Sequence, residues 1–125
     1  MLVFGSYEGE FQNGEITGQG TYFYRSGSKY TGAFKAGGAH GHGVYTTVTG
    51  YRYDGEWSND RRHGACECRY VNGSRFLGQF QHGKKTGECS VVFKSGARFS
   101  GTFAEDRPFK GVYELTGGAK FEATW

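Results

Sequence analysis

The five-residue stretch Tyr53-Asp54-Gly55-Glu56-Trp57 decides the fold, because its pattern of aromatic, x, glycine, x, aromatic recurs along the chain. The other copies are Tyr7-x-Gly9-x-Phe11, Tyr30-x-Gly32-x-Phe34, Phe76-x-Gly78-x-Phe80 and Phe99-x-Gly101-x-Phe103, with a weaker one at Phe121-x-Ala123-x-Trp125. The first aromatics of the five full copies stand at positions 7, 30, 53, 76 and 99, a constant step of 23 residues. Self-similarity at a fixed period of this length is the sequence signature of a repeat protein.

The composition limits the class of protein. Of the 125 residues only 36% are hydrophobic, but 18% are aromatic, and there are 23 glycines and one proline. A buried ring removes about 150–250 Å² from water, so a few rings per repeat can replace an aliphatic core. The net charge of +3 is low for a dedicated nucleic-acid binder, and we expect no nucleic-acid partner. No apolar run is long enough to span a membrane, and Met1–Phe4 is too short for a signal peptide, so we expect an intracellular protein.

The alternation of residues predicts that each 23-residue repeat unit is one β-hairpin. The aromatics of the first strand fall on every second position, and the second strand opens with glycine, as in Gly41-x-Gly43-x-Tyr45. A four-residue loop that contains Asn, Asp or Gly, such as Gln12–Glu15, separates the two strands, and a glycine at 27, 50, 73 or 96 marks the turn into the next unit. The expected fold is therefore all-β, an elongated antiparallel meander of consecutive hairpins with about eleven strands. It forms a single array over residues 1–125, with units starting near Tyr7, Tyr30, Tyr53, Phe76 and Phe99 and a partial one at Phe121.

The fifth unit departs from this pattern. We interpret Asp106–Gly111 as carrying one added residue before the second strand, with two residues lost before Phe121. Pro108 has no N–H to donate to a sheet, so it is predicted to lie in a loop or bulge.

The aromatic and glycine residues of the five full copies are predicted to form the structural core on one face of the sheet. Residues 53, 55 and 57 share a face, so Gly55 leaves bare backbone on which a ring from a neighbouring strand can lie. Further aromatics of the second strands fall on the same face: Tyr22, Tyr24, Tyr45, Tyr70, Phe93 and Tyr113. Replacing Gly55 by valine is therefore expected to displace rings and to cost several kcal/mol.

These residues resemble the MORN family (membrane occupation and recognition nexus). Its repeat has this length and reads Tyr-x-Gly-x-Trp-x-x-Gly-x-x-His-Gly-x-Gly, which Tyr30–Gly43 follows closely and Tyr53–Cys66 follows except at Cys66. The resemblance implies an elongated, groove-shaped β-sheet rod that acts as a scaffold and has no activity of its own. MORN arrays occur in cytoskeletal and ciliary proteins, at junctions between membranes and in front of enzyme domains.

Five cations form what we call the basic ladder. These residues, each immediately before a first aromatic, are Lys29, Arg52, Arg75, Arg98 and Lys120. Alternation places them on the face opposite the rings, with equivalent strands about 9–10 Å apart, a spacing that suits an acidic partner strip or anionic head groups. The alternative is a solvated face balanced by carboxylates on the same side: Glu8, Glu10, Asp54, Glu56 and Glu122. Phe23 also falls on this outer face, either as an ordinary exposed ring or as an anchor for a partner.

The cysteines and histidines are interpreted as structural. Cys66 and Cys89 are expected to lie about 10 Å apart, beyond the ~7 Å limit for a disulfide. Together with Cys68 they are predicted to be reduced, buried small residues, without the spacing of a zinc site. His40 and His63 are predicted to make structural turn contacts, and the remaining two histidines to be solvated.

The sequence favours a non-catalytic scaffold or protein-interaction subunit of a larger cytoskeletal or ciliary (axonemal) assembly, without cofactor or metal. We expect other proteins as partners, held in the groove or by edge pairing, including another MORN protein or a second copy. The expected location is the cytoplasm or cytoskeleton, including the cilium or flagellum. Two alternatives stay open: a peripheral membrane module that binds anionic phosphoinositides through the basic ladder, and a targeting segment of a multidomain enzyme.

Overall fold

A single open antiparallel sheet makes up the fold. The computed structural model describes residues 5–124, with the side chain of Phe109 excepted. The strands follow one another across the sheet in chain order. They are β1 Gly5–Gln12, β2 Glu15–Tyr24, β3 Lys29–Lys35, β4 Gly38–Thr46, β5 Arg52–Ser58, β6 Arg61–Arg69, β7 Arg75–Gln81, β8 Lys84–Val92, β9 Arg98–Ala104, β10 Arg107–Glu114 and β11 Lys120–Thr124.

The predicted elongated, all-β meander of hairpins is therefore confirmed. Unit one is the β1–β2 hairpin, and the following units succeed it in order to unit five, β9–β10. Over residues 5–124 the chain contains no helix, and so none that is long and apolar enough to cross a membrane. The predictions that involve Met1–Phe4 and Trp125 lie outside the described residues.

Two-residue turns join the strands within each unit. Both residues of these turns have positive φ, from 50° to 84°, as in type I′ turns: Asn13-Gly14, Ala36-Gly37, Asn59-Asp60, His82-Gly83 and Glu105-Asp106. Type I′ turns match the right-handed twist of paired strands, which explains why each hairpin closes so tightly. The loops are thus two residues shorter than the four-residue loops expected, and the strands extend into them.

Longer turns join one unit to the next. In the first of them the N–H of Gly27 donates to the carbonyl of Tyr24 at 3.0 Å, and the N–H of Tyr24 donates to the carbonyl of Ser28 at 2.9 Å. Gly27 has a φ of +96°, and its equivalents Gly50, Gly73, Gly96 and Gly118 lie between +93° and +106°. A left-handed glycine at the end of such a turn is the usual way to close a three-residue hairpin loop. The turns predicted at glycines 27, 50, 73 and 96 are therefore present.

A β-bulge occurs at the same place in the first three units, and one residue earlier in the fourth. In unit two, Gly32 pairs with Gly43 and Phe34 with Ala39, so three residues of β4 face one residue of β3. Gly41 lies in this bulge with a φ of +92°, a conformation that glycine adopts most readily. The simple alternation expected from residue 41 onward therefore starts only at Gly43.

The fifth unit has one residue fewer than the second between its second aromatic and the glycine paired across the sheet. The sequence analysis expected one residue more. Gly101 pairs with Gly111 and Phe103 with Pro108, so two residues of β10, not three, face one residue of β9. The interpretation of an added residue was therefore wrong. The one residue missing from this bulge explains by itself why Phe121 comes one position early. Pro108 lies in β10, paired with Phe103 and directly before the bulge, and not in a loop.

A row of glycines crosses the face that carries the aromatics, which we call the ring face. Gly9, Gly20, Gly32, Gly43 and Gly55 are paired in succession across the first five strands. A Cβ built on Gly43 would lie 2.4 Å from ring carbons of Tyr30, and one on Gly20 would lie 2.5 Å from the ring of Tyr7. Each ring thus covers the second-strand glycine of its own hairpin.

The position of Gly55 differs in one detail from the prediction. The atoms nearest to a Cβ built there belong to Cys66 and to the Ala65 carbonyl, at 2.6–2.8 Å, and not to a ring. Close backbone packing, rather than a covering ring, is therefore what requires glycine at this position.

The rings form a continuous chain of edge-to-face contacts. Within unit two the centres of Tyr30 and Phe34 are 5.0 Å apart, and Tyr30 also meets Trp57 of the next unit at 5.3 Å. Tyr53 repeats this arrangement with Trp57 at 5.0 Å and with Phe80 at 5.7 Å. Tyr30 and Tyr53 are 1% and 0% exposed. The predicted aromatic core is therefore present around Tyr30, Tyr53, Phe76 and Phe99, and ring contacts connect each unit to the next. The prediction was wrong for Phe11, which is 61% exposed because it lies on the first strand of the sheet.

Candidate partner-binding surfaces

The ring face leaves a strip of aromatics only partly buried. These are Tyr24, Tyr45, Tyr51, Tyr70 and Phe93, which lie near the turns that join the units. The rings of Tyr24 and Tyr45 are 6.0 Å apart, and those of Tyr51 and Tyr70 are 5.6 Å apart. We call this set the tyrosine strip. Half-exposed tyrosines offer apolar area together with a polar tip, which is typical of surfaces that bind other proteins.

Two cations interrupt the ring face. Arg62 pairs with Trp57 in unit three, and Lys85 pairs with Phe80 in unit four. The equivalent pairs in units one and two place Ile16 and Ala39 at this position. The position is therefore compatible with apolar residues, so the repeat fold itself does not require a charge there.

The Arg62 guanidinium is held from several sides. Its central carbon lies 4.5 Å from the centre of the Phe80 ring. It donates to the Tyr51 hydroxyl at 3.2 Å and to the Gly83 carbonyl at 3.4 Å. A cation over a ring face is attracted by the ring quadrupole, so this stacking and the two hydrogen bonds fix the orientation of the side chain.

The Lys85 ammonium has aromatic neighbours but no acceptor. Nζ lies 4.9 Å from the centre of the Phe76 ring, 5.2 Å from Tyr70 and 5.8 Å from Phe103. No side chain or carbonyl among residues 5–124 accepts a hydrogen bond from Nζ, and no carboxylate pairs with it. Its three N–H donors are therefore open to solvent or to a ligand.

Cys68 is fully buried beside these cations. The neighbouring Cys66 thiol lowers the pKa of the Cys68 thiol below its usual range, against the effect of burial. The Tyr51 hydroxyl, 3.6 Å from Sγ, and the charges of Arg62 and Lys85 act in the same direction. The same pairing raises the pKa of Cys66. The charges of Arg62 and Lys85 therefore act on a buried thiol of the ring face.

The cysteines agree in part with the expectation of buried small residues. All three are free thiols, but only Cys68 is fully buried, whereas Cys66 and Cys89 are half-buried. Burial raises the pKa of Cys89 to about 11. Within residues 5–124, no three His, Cys, Asp or Glu side chains are grouped so as to hold a metal ion.

The basic ladder lies on the outer face, in one row that runs across the strands. Its members occupy equivalent register positions, as in the pairing of Lys29 with Thr46 and of Thr46 with Arg52. Lys29, Arg75, Arg98 and Lys120 are exposed, and Arg52 is half-buried. Phe23 is 37% exposed and pairs with Lys29, so it extends the same row.

Arg69 is a member of this row that the sequence analysis missed. It pairs with Arg52 on one side and with Arg75 on the other, which brings three arginines side by side across β5, β6 and β7. Arg69 does not stand at the repeat position of the ladder, so the period did not reveal it. The available signal was the register of β6 against its two neighbours.

Carboxylates balance much of this charge. Glu67 pairs with Arg69 at 3.2 Å and with Arg75 at 3.6 Å, while Asp54 pairs with Arg52 at 3.3 Å. Glu114 pairs with Lys120 at 3.4 Å. Of these three acids only Asp54 was among the expected partners.

The histidines do not all follow the predictions. His42 is exposed but not simply solvated, because Nε2 lies 3.1 Å from Asp54 Oδ1 and Nδ1 lies 3.3 Å from Glu56 Oε2. The Nδ1 atom of His40 is buried without a hydrogen-bond partner among the described residues. His63 is exposed, with its ring 6.5 Å from that of His82.

The geometry defines a class of protein: an elongated rod of β-hairpin repeats, with two faces and two edges as its surfaces. The family model of the MORN repeat matches residues 7–29, 30–50, 53–75 and 76–98. Since these matches cover more than half of the sequence, the chain belongs to the MORN-repeat family. MORN repeats are generally non-catalytic modules with protein-interaction or membrane-associated roles, and proteins that contain them are often cytoskeletal or membrane-associated.

A solved structure from another protein shares the fold. It is the TCP domain of SAS-4 (dCPAP) from Drosophila melanogaster, in complex with a proline-rich motif of Ana2 (dSTIL). The TM-score is 0.56 at 16% sequence identity, and the match covers 86% of this chain and 60% of that chain. At this identity the likeness concerns the fold alone. No curated protein matches the sequence.

Proposed function

We propose that this protein is a non-catalytic scaffold that holds a segment of a partner protein on its ring face. The observation that carries the proposal is the tyrosine strip, a line of half-buried rings that lies beside the fully buried rings of Tyr30, Tyr53 and Phe76. Extended and proline-rich segments bind to grooves lined by aromatic side chains, because such segments lose little entropy on binding. The proline-rich motif bound by the SAS-4 domain, a protein of similar fold, supports this kind of partner.

The assembly proposed is cytoskeletal or ciliary and lies in the cytoplasm. Membership of a family whose proteins are often cytoskeletal supports this location. In the described part of the chain, β1 and β11 are the edge strands, and each presents backbone groups that can pair with another strand. Edge pairing with another MORN protein or with a second copy of the chain is thus a further way to assemble.

A photo-crosslinking experiment tests which face binds. A photoreactive amino acid is placed either at Tyr70, on the ring face, or at Leu77, which is 40% exposed on the outer face of the next strand. In cell extract, Tyr70 is expected to give a recurrent adduct with one cytoskeletal protein, and Leu77 is the matched control. The same adduct at both positions, or at Leu77 alone, contradicts the proposal.

The alignment of Arg69 between Arg52 and Arg75 favours a second candidate function, binding to an anionic membrane surface. Vesicles that contain phosphoinositide should then sediment the protein at low salt, and replacing these three arginines by glutamate should abolish binding. The ion pairs with Asp54 and Glu67 weaken this candidate. A transcript that continues into an enzyme domain would instead favour the remaining alternative, in which the chain is a targeting segment of a multidomain enzyme.

A further inference from the structure

We propose that the ring face selects an acidic segment, and that Lys85, with Arg62 on the other side of Phe80, binds its carboxylate. This inference rests on the proposed function, since it assumes that the ring face is the partner surface. It adds the chemical class of the partner: an extended, proline-containing segment with an aspartate or glutamate.

The first argument is charge. Among the described strand residues that point to the ring face, Arg62 and Lys85 are the charged ones, and none is acidic. Two acids in the turns accept hydrogen bonds from backbone N–H groups: Asp60 from that of Ala39 and Asp106 from that of Lys85, both at 2.7 Å. The two cations therefore have no charge partner within the described residues on this face.

The second argument is the state of the Lys85 donors. A buried or half-buried ammonium usually finds acceptors, because its three N–H groups are costly to leave unpaired. Here Nζ faces the rings of Tyr70, Phe76 and Phe103, and no group among residues 5–124 accepts a hydrogen bond from it. A carboxylate placed above these rings would accept from Nζ without displacing any protein contact.

The third argument is the surroundings of the cations. Tyr70 belongs to the tyrosine strip, and the centre of its ring lies 5.2 Å from Lys85 Nζ. The Tyr51 hydroxyl accepts a hydrogen bond from Arg62. Proline rings or apolar side chains that flank the acid can thus pack on these tyrosines. Aromatic area around a cation matches an acidic residue within an apolar, extended stretch better than it matches a run of acids.

Selection from a random library of displayed 12-residue peptides tests the inference on the whole chain. The wild type is expected to enrich peptides with aspartate or glutamate, and the Lys85→Glu variant to enrich peptides with lysine or arginine instead. The control is Lys84→Glu, since Lys84 is the neighbouring residue and pairs with Glu105 away from the ring face. It should leave the enrichment of acids unchanged.

Titration with one selected peptide makes the result quantitative. Changing its acidic residue to the amide should weaken binding to the wild type about tenfold, the effect of one charged hydrogen bond. The same change should have no effect on Lys85→Met, a variant that keeps the stem of the side chain and serves if Lys85→Glu does not fold.

The outcomes separate this inference from the proposed function. Selected peptides that lack acidic residues, but that lose binding in a folded Tyr70→Ala variant, overturn the inference and leave the ring face as the partner surface. Selected peptides that bind Tyr70→Ala as well as the wild type overturn both. An exchange of peptide charge in Lys85→Glu, absent from Lys84→Glu, establishes the carboxylate site.

Discussion

The first three units and the last two fill the same space with different rings. In units one to three the first aromatic is Tyr7, Tyr30 or Tyr53, and its hydroxyl donates to the carbonyl three residues on, at 2.9, 2.7 and 2.7 Å. Units four and five have Phe76 and Phe99, which carry no hydroxyl. The centres of the first and second rings are 5.0–5.1 Å apart in the tyrosine units but 6.0 and 6.1 Å apart in the phenylalanine units.

The second-strand glycine does not explain this difference. Unit three has Cys66 in place of that glycine and still keeps its rings 5.0 Å apart. Unit five has Gly111 there, yet its rings are 6.1 Å apart. The hydroxyl therefore sets where the first ring lies, because its acceptor is the carbonyl of the residue that faces the bulge. Glycine only gives the ring space.

The second ring is buried in unit two, a tyrosine unit, and in unit four, a phenylalanine unit, so its removal there should have the largest effect. Phe80 is 2% exposed and contacts Tyr53 and Phe76. Phe80→Ala should lower the free energy of unfolding by about 3–5 kcal/mol, through lost transfer energy and a cavity. Urea unfolding followed by circular dichroism measures this change.

Phe11 provides the matched control, since it holds the same repeat position but is 61% exposed. Phe11→Ala should cost less than about 1 kcal/mol, in the range of exposed substitutions. Equal losses for the two variants would contradict the assignment of the core to the ring contacts between units.

Overpacking the glycine row should have the next largest effect. A Cβ at Gly55 would lie 2.7 Å from the Ala65 carbonyl oxygen and 2.8 Å from the Cys66 Cα, and backbone atoms cannot move aside cheaply. Gly55→Val should therefore cost about 3 kcal/mol, at the upper end of the usual range for overpacking. Gly117→Ala is the control, because nothing lies within 4 Å of its built Cβ. An unchanged melting temperature of Gly55→Val would show that the row is not tightly packed.

The strands and the ring face could be predicted from the sequence because both depend on short-range alternation. The period of 23 placed Tyr30, Tyr53 and Phe76 in equivalent positions, and alternation put them on one face. These features require only that the strands pair in chain order, which they do.

Register and turns could not be read in the same way. Gly41 looked like the start of a regular strand, whereas it is the left-handed residue of a bulge. The four-residue loops expected in each unit hid the fact that β6 and β8 begin earlier, which brings Arg62 and Lys85 onto the ring face. Arg69 was missed for a related reason, since its neighbours are set by the pairing of three strands.

Exchanging the ring hydroxyl between the two kinds of unit sharpens the comparison. Tyr30→Phe removes the bond to the Ala33 carbonyl in a buried site and should cost about 1–2 kcal/mol. Phe76→Tyr places a hydroxyl at the equivalent position of unit four and should gain about 0.5–1 kcal/mol. Urea unfolding of both variants and of the double variant measures the exchange. A loss in Phe76→Tyr as large as that in Tyr30→Phe would mean that unit four cannot form the same bond.

Alkaline pH should destabilise the tyrosine units before the phenylalanine units. The loss of stability expected from ionisation of a single tyrosine is the smallest of the predicted effects. Burial, followed by the charge of Asp60, raises the pKa of Tyr24 from 10.0 to about 12. A raised pKa means that the folded state holds its proton while the unfolded state releases it, so this stability is complete below pH 10 and is lost as the pH rises toward 12. The free energy of unfolding of Tyr24→Phe should therefore match that of the wild type at pH 8 and exceed it by up to about 1 kcal/mol at pH 11.

Urea midpoints at the two pH values measure this difference. The control is Phe93→Leu, because Phe93 holds the equivalent position in unit four without an ionisable group. If Phe93→Leu gained the same advantage at pH 11, ionisation of the buried tyrosine would not be the cause, and the two kinds of unit would differ in geometry alone.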